Sequence, residues 1–302
     1  MLESNCKTIL SEQNKTYKAW QKLKQRKHRM KEKKFLIEGI KLVAEAIASG
    51  LEVEALILCE NKSLEQLVLT LESTVSASEK PCCSPVEISD VPIYILSEKL
   101  FLGLSETDSP QGLMAVAQMI YLEDQDVVTF SGHHQLPSEG NDDGAKQDDK
   151  SILVLDRLQD PGNLGTILRT AEAAGIEEIW CLKGTGDLYS PKVVRASAGA
   201  IFRVKIRFMS GPNEVLERAA LLEKNLIVTS LKTDQNYYET DLRNSVIVIG
   251  NEGSGVCDQF LESHRSTKVK IPMENQVESL NAAVAAALLM YESKRQLEQS
   301  IK

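Results

Sequence analysis

The chain predicts an α/β protein in two domains, the larger one a parallel sheet with helices on both faces. Three observations carry this. From residue 151 onward short apolar runs alternate with helical segments, and the runs are nearly free of polar residues, as in strands buried on both faces. An acidic stretch rich in Gly, Ser and Asn, residues 121–150, separates this half from an N-terminal α/β pattern that ends near residue 120. The length, 302 residues, allows two ordinary cores.

Composition narrows the class. Hydrophobic residues make up 42% and charged residues 26%, a soluble globular balance. No apolar run approaches the roughly 20 residues of a membrane-spanning helix. The start, MLESNCKTILSEQ, has neither a secretory nor a transit-peptide pattern, so the cytosol is the default expectation. Cys6, Cys59, Cys82, Cys83, Cys181 and Cys257 form no CxxC pair and no histidine stands at ligand spacing from them, which predicts free thiols and no metal. His133 and His134 fall in the linker, where solvated side chains are the plainer reading.

The net charge of −8 argues against nucleic acid only on average. Between Lys15 and Lys34 ten basic residues face a single opposing charge, Glu32, with Tyr17 and Trp20 among them. So dense a cluster can neutralise phosphates and release counterions. Residues 1–34 are therefore read as a basic arm for RNA, the solvated arm being the bland alternative.

The elements follow in order. FLIEGIKLVAEAIASG, Phe35 to Gly50, reads as a helix from Leu36, Ile40, Val43 and Ile47, ended by Gly50. LEVEALILC reads as a strand and KSLEQLVLTLES as a helix, followed by a loop through Pro81 and Pro85. VPIYIL, then SEKLFLGL, then a strand around Ala115 to Met119 complete a domain over residues 35–120. In the domain over residues 151–302, SILVLD, IEEIWCL, RVKIRF, LIVTSL, SVIVIG and VKI read as strands. Helices are expected from Asn163, over PKVVRASAGA and GPNEVLERAALLEK, and in a long closing helix after ESLN.

Ligands of such sheets bind at the carboxyl ends of strands. Those ends are Asp156 to Asn163, Ser230 to Asp234, Gly250 to Gly255 and Ile271 to Asn281. None carries a GxGxxG or P-loop signature, which disfavours dinucleotides and nucleoside triphosphates. In DPGN, Pro161 and Gly162 shape a turn and Asn163 suits a helix N-cap. Ile167, Leu168, Ala171 and Ala174 form the apolar stripe of that helix; Arg169 lies off it and points out of the core, as a solvated or a functional residue. GNEGSG offers backbone N–H groups and Glu252, and IPMENQVESLN offers a turn followed by Ser279 and Asn281 at a helix start. Together these loops suit a ligand bearing amide and ribose groups but no phosphate.

DPGNLGTILRTAEAAG, VIVIGNEGSGV and IPMENQVESLNAAVAAAL resemble, in order and spacing, the three motifs of the SpoU/TrmH branch of the SPOUT methyltransferases. SPKVVRASAGAIF matches the segment between them, and FLIEGIKLVAEAI with ETDSPQGLMAV resembles the family's N-terminal substrate-binding domain. The resemblance implies a trefoil-knotted catalytic domain, a rare exception to unknotted topology. It also implies a homodimer and S-adenosylmethionine as the methyl donor to a ribose 2′-hydroxyl in RNA, rRNA before tRNA. Carried over by position, Gly250, Ile271, Ser279 and Leu280 would line the cofactor pocket. Asn163, Arg169, Glu252 and Asn281 would face the reaction, Arg169 serving the partner's pocket. All four being present favours an enzyme over an RNA-binding protein that has lost catalysis, and the basic cluster favours it over a metabolic α/β enzyme. Asn275 stands where the family often has glycine, and Ala282 and Ala283 replace a common valine–serine pair. Family habit also allows a plastid or mitochondrion as the compartment.

Overall fold

The computed structural model describes residues 6–76, 91–122, 150–275 and 278–300. The chain divides into two compact units, the first running to Met119 and taking in Tyr189–Phe202 as well. Its elements are β1 (Cys6–Ile9), α1 (Lys15–Lys22), α2 (Arg26–Glu32), β2 (Lys34–Glu38), α3 (Ile40–Ala48), β3 (Val53–Cys59), α4 (Leu64–Ser76), β4 (Ile93–Leu96), α5 (Glu98–Leu104) and β5 (Leu113–Gln118). They build a mixed sheet in the order β1-β4-β3-β5-β2, in which β2 and β3 run antiparallel to β5.

Two expectations change here. The basic segment is no arm: Asn14 Oδ1 accepts from the N–H groups of Thr16 and Tyr17 and starts α1, and Tyr17, Trp20 and Leu23 are buried in the same core as Leu36, Ile57 and Phe101. The Tyr17 hydroxyl donates to the Leu100 carbonyl at 3.0 Å, and the Trp20 ring meets Tyr94 edge-on at 5.0 Å. An apolar stripe thus anchors the segment and leaves Lys15, Lys18, Lys22, Arg26, Lys27 and Lys31 exposed on its outer side. Nor is Phe35 to Gly50 one helix. Gly39, at φ 104°, ends β2 and begins α3, a backbone that glycine adopts without steric cost. The Gln111 side-chain oxygen then accepts from the Ile40 N–H at 2.9 Å, joining two segments far apart in sequence.

The second unit holds residues 120–122, 150–188 and 203–300 of the described chain. Its elements are β6 (Ile152–Asp156), α6 (Pro161–Ala174), β7 (Glu178–Leu182), β8 (Lys205–Met209), α8 (Pro212–Leu221), β9 (Asn225–Thr229), β10 (Ser245–Gly250), α9 (Asp258–Glu262), β11 (Ser266–Val269) and α10 (Ala282–Ser300); α7 (Pro191–Ala196) falls in the excursion to the first unit. That excursion crosses the expected boundary because aromatic side chains hold it: Tyr189 packs edge-on against Phe35 at 4.9 Å, and Phe202 lies 6.3 Å from the same ring.

Six strands form a wholly parallel sheet, as expected, in the order β11-β9-β10-β6-β7-β8. Its strands are nearly all buried, among them Leu153, Val154, Trp180, Val228 and Val248. The chain proceeds from β6 to β7 and β8 on one side and places β10, β9 and β11 on the other. The switch point therefore lies between β6 and β10, where Asp156 stands in register with Gly250. α10 packs along α6, and it is strapped to the 240–245 turn: the Gln296 side-chain oxygen accepts from the Leu242 N–H, and Ser293 and Ser151 hydroxyls both donate to the Leu242 carbonyl. Ala282 and Ala283 are buried in the first turn of α10.

Among the described residues no helix is long and apolar enough to cross a membrane, and no group of His, Cys, Asp or Glu could hold a metal ion. Among the described residues no two of Cys6, Cys59, Cys181 and Cys257 are joined by a disulfide. Cys82, Cys83, His133, His134 and nearly all of the expected linker lie outside the described residues.

Candidate functional site

α6 starts two residues earlier than expected, and its cap is not Asn163. Asp160 is the N-cap, its Oδ1 accepting from the Asn163 N–H at 2.7 Å, with Pro161 in the first turn where a missing N–H costs nothing. The Asp–Pro pair carried that signal in the sequence. The Asn163 side chain is thereby free for other partners. Its Nδ2 donates to Glu252 Oε1 at 3.1 Å, and its Oδ1 accepts from Asn281 Nδ2 at 2.8 Å.

Asn281, rather than Ser279, caps α10: its Oδ1 accepts from the N–H groups of Ala283 and Val284 at 2.9 and 3.3 Å. Glu252, Asn163 and Asn281 therefore form one hydrogen-bonded chain that joins the loop after β10, the first turn of α6 and the start of α10. A primary amide has two N–H donors. Each asparagine spends one of them within the chain, which leaves one on each for a ligand oxygen.

The Glu252 carboxylate is fully engaged. Oε1 also accepts from the Asp160 N–H, and Oε2 from the Gln159 N–H and Asn251 Nδ2, at 3.2 to 3.3 Å. Partial burial would raise its pKa, but hydrogen bonds from its own N–H, Asn163, Asp160 and Gln159 outweigh that and hold it below the ordinary carboxyl value. Glu252 is thus a poor proton acceptor at neutral pH and a good orienting group.

The loop carrying it closes on itself. Asn251 and Gly255 exchange backbone hydrogen bonds at 3.0 and 2.9 Å, and Asn251 Oδ1 accepts from Gly253 N–H and Ser254 N–H. A Cβ on Gly250 would lie 2.3 Å from the Gly255 carbonyl carbon, so only glycine admits this closure. Beneath the loop Asp156 is fully buried. It accepts from Arg157 Nε at 2.6 Å and from the Cys257 N–H at 2.7 Å. Burial pushes the Cys257 thiol up, which keeps it protonated. Asp156 was visible in the sequence only as the polar end of an apolar run, and nothing there singled out Arg157 or Asn251.

The remaining candidates sit around this core. Gly250 is the last residue of β10 and Ile271 lies just past β11; these two strands flank β9. Ser279 and Leu280 are exposed in the segment that leads to α10. Asn275 takes φ 56°, a left-handed conformation that asparagine tolerates better than most residues, so its place in a glycine position is physically accounted for. Arg169 is exposed on α6, and among the described residues it makes no side-chain hydrogen bond or ion pair. The structure does not bring it to the Asn163–Asn281 pair. Beside that pair runs a groove of about 680 Å³ between α6 and α10, lined by Thr166, Thr170, Val284, Leu288, Tyr291 and Arg295, with Val284 and Tyr291 about half exposed.

Residues 150–291 match the SpoU rRNA methylase family, and residues 14–115 match the MRM3-like substrate binding domain. The chain is 33% identical to the 23S rRNA (guanosine(2553)-2′-O)-methyltransferase RlmP of Bacillus subtilis, across 94% of this chain and 98% of that one. It is 28% identical to the mitochondrial rRNA methyltransferase 3 of Mus musculus, across 93% of this chain and 72% of the relative. Among solved structures it is similar to the AdoMet-bound rRNA methyltransferase from Sinorhizobium meliloti, with 26% identity, a TM-score of 0.72, and 97% and 99% of the two chains covered.

Proposed function

The chain belongs to the SpoU rRNA methylase family, and from that premise we propose that it methylates a ribose 2′-hydroxyl in RNA with S-adenosylmethionine as donor, rRNA before tRNA. The hydrogen-bonded chain Glu252–Asn163–Asn281 carries this reading: it ties the loop after β10 and the start of α10 to the first turn of α6, beside the switch point of the sheet, and leaves two amide N–H donors free.

The residues present fit an adenosyl group. Gly250 contributes bare backbone under a closed loop, and Ile271 and Leu280 add apolar surface that is not fully buried. No lysine or arginine stands among the four positions that would hold it, Gly250, Ile271, Ser279 and Leu280, in keeping with a ligand that has no phosphate. When bound, S-adenosylmethionine supplies an electrophilic sulfonium methyl. The protein's task is then mainly to hold the hydroxyl in line. Asn163 and Asn281 orient the ribose oxygen and meet charge developing on it, and Glu252 fixes the two amides.

Arg169 acts from a second copy. Its unpaired, exposed guanidinium lies on α6, whose neighbouring turns supply Thr166 and Thr170 to the half-apolar groove along α10, and a homodimer across that face would carry each Arg169 to the other copy's amides. A guanidinium offers a planar fork of N–H donors and no acceptor, so its part is to bind the hydroxyl and the adjoining phosphate rather than to take the proton. The exposed lysines of α1 and α2 support RNA contact, and a separate substrate-binding unit together with relatives named for rRNA supports rRNA over tRNA. The trefoil knot is part of the same proposal. So is a cytosolic or organellar compartment, which rests on a bacterial relative and a mitochondrial one.

The test is methyl transfer from labelled S-adenosylmethionine to rRNA and tRNA, with the ribose position mapped and light scattering to fix the oligomeric state. Arg169→Lys is expected to keep cofactor binding and the dimer while losing at least about tenfold in kcat, because the ammonium lacks the planar fork. Near-full activity in that variant would remove Arg169 from the site.

A further inference from the structure

Arg157 has no assigned part in the reaction, yet it joins the ends of three neighbouring strands. It follows β6 directly, and at φ 61° it occupies the left-handed region that disfavours a side chain. A residue is held there only where its surroundings over-determine it. Its guanidinium grips the buried Asp156 carboxylate with two bonds, Nε at 2.6 Å and Nη2 at 3.1 Å, and Nη2 reaches the Gly255 carbonyl at 3.4 Å. On the other side its Cγ lies so close to Gly184, after β7, that a Cβ there would stand 3.1 Å away. Its N–H donates to Thr185 Oγ1 at 3.2 Å, and its carbonyl accepts from Asn251 Nδ2 at 2.8 Å.

Asn251 is the residue that turns the loop, and its neighbour Glu252 orients Asn163. We propose that Arg157 is a positioning residue: anchored on Asp156, it holds the Asn251–Gly255 loop closed and so sets the Glu252 carboxylate that aims Asn163 and Asn281. The proposal rests on the methyltransferase reading for its catalytic consequence, but not for the brace itself. Arg157 touches none of the reacting groups, and its effect reaches them through Glu252.

Three proteins test this: the parent, Arg157→Gly and Asp156→Asn/Arg157→Gly. Glycine accepts φ 61°, so the backbone of the single variant is not strained, while the double variant also removes the buried carboxylate left without its partner. In Arg157→Gly the Gly255 and Cys257 amides are expected to exchange at least about fivefold faster. In the same variant kcat is expected to fall about tenfold or more with the KM for RNA nearly unchanged. The double variant is expected to regain thermal stability but not kcat.

Parental exchange and kcat in Arg157→Gly would overturn the brace. Recovery of kcat together with stability in the double variant would reduce Arg157 to a folding role. A loss confined to KM for RNA would make it an RNA contact instead. A parent that methylates no RNA, with faster exchange in the variant, would sink the methyltransferase reading and leave the brace standing.

Discussion

Replacing Asn163 by aspartate is nearly isosteric and turns one hydrogen bond into a repulsion. Asn163 Nδ2 donates to Glu252 Oε1 at 3.1 Å; in Asn163→Asp two carboxylate oxygens face each other there. Two unit charges at that distance repel by about 1.3 kcal/mol in water and about 5 kcal/mol at an effective dielectric of 20. Both residues are in contact with solvent, so the lower end applies, about 1–2 kcal/mol, with about 1 kcal/mol more for the lost hydrogen bond. The Asp160 carboxylate, which already accepts from the residue 163 N–H, adds to the repulsion.

The facing carboxylates disfavour double ionisation, so the coupled pair should release its second proton at a higher pH than Glu252 does in the parent. The sign follows from linkage: a carboxyl whose folded pKa is raised destabilises above that pKa and stops doing so below the unfolded one. Urea unfolding at pH 4.5 and pH 8 reads this directly, with Asn163→Ala as the reference that loses the hydrogen bonds without adding charge. The aspartate variant should be the less stable of the two at pH 8 by about 1–2 kcal/mol and should approach it at pH 4.5. Equal stability at both pH values would refute the placement of Asn163 against Glu252.

Three further outcomes follow from the same geometry. Asp160→Ala removes the cap of α6 and should cost about 0.5–2 kcal/mol in urea unfolding; an unchanged midpoint would return the cap to Asn163. Gly250→Ala puts a methyl 2.3 Å from the Gly255 backbone, so calorimetric titration should show S-adenosylmethionine binding weakened by at least about tenfold, whereas parental affinity would exclude this loop from the pocket. Glu252 has a lowered folded pKa, so it adds stability that is present above the unfolded value of 4.5 and lost as pH falls through the folded one. Acid unfolding of Glu252→Gln should lack that component, and identical acid curves for parent and variant would contradict the hydrogen bonds drawn to it.

What the sequence determined by itself was whatever depends on neighbours along the chain. Apolar runs of five or six residues between helical stripes specified a parallel sheet, and Ile167, Leu168, Ala171 and Ala174 were legible as the buried face of α6 because burial repeats with the helical period. Family motifs placed Asn163, Glu252 and Asn281 among the candidate residues before any contact was known. Local pattern misled where tertiary contacts outweighed it. The helical spacing of Leu36 and Ile40 straddles Gly39, and only pairing with β5 makes Lys34–Glu38 a strand. A lysine-rich run reads as solvated until Tyr17 and Trp20 find a core contributed by β3, β4 and α5.

Only the tertiary structure decided what each polar side chain does. Asn163 could cap its helix or face the reaction, and the outcome turned on Asp160 taking the cap and on Glu252, 89 residues away, accepting its amide. Asp156, Arg157 and Asn251 became a single brace through hydrogen bonds spanning about a hundred residues of chain. Such bonds are directional and short-ranged, so they depend on where strand ends come to lie in space. Hydrophobic periodicity carries no record of that.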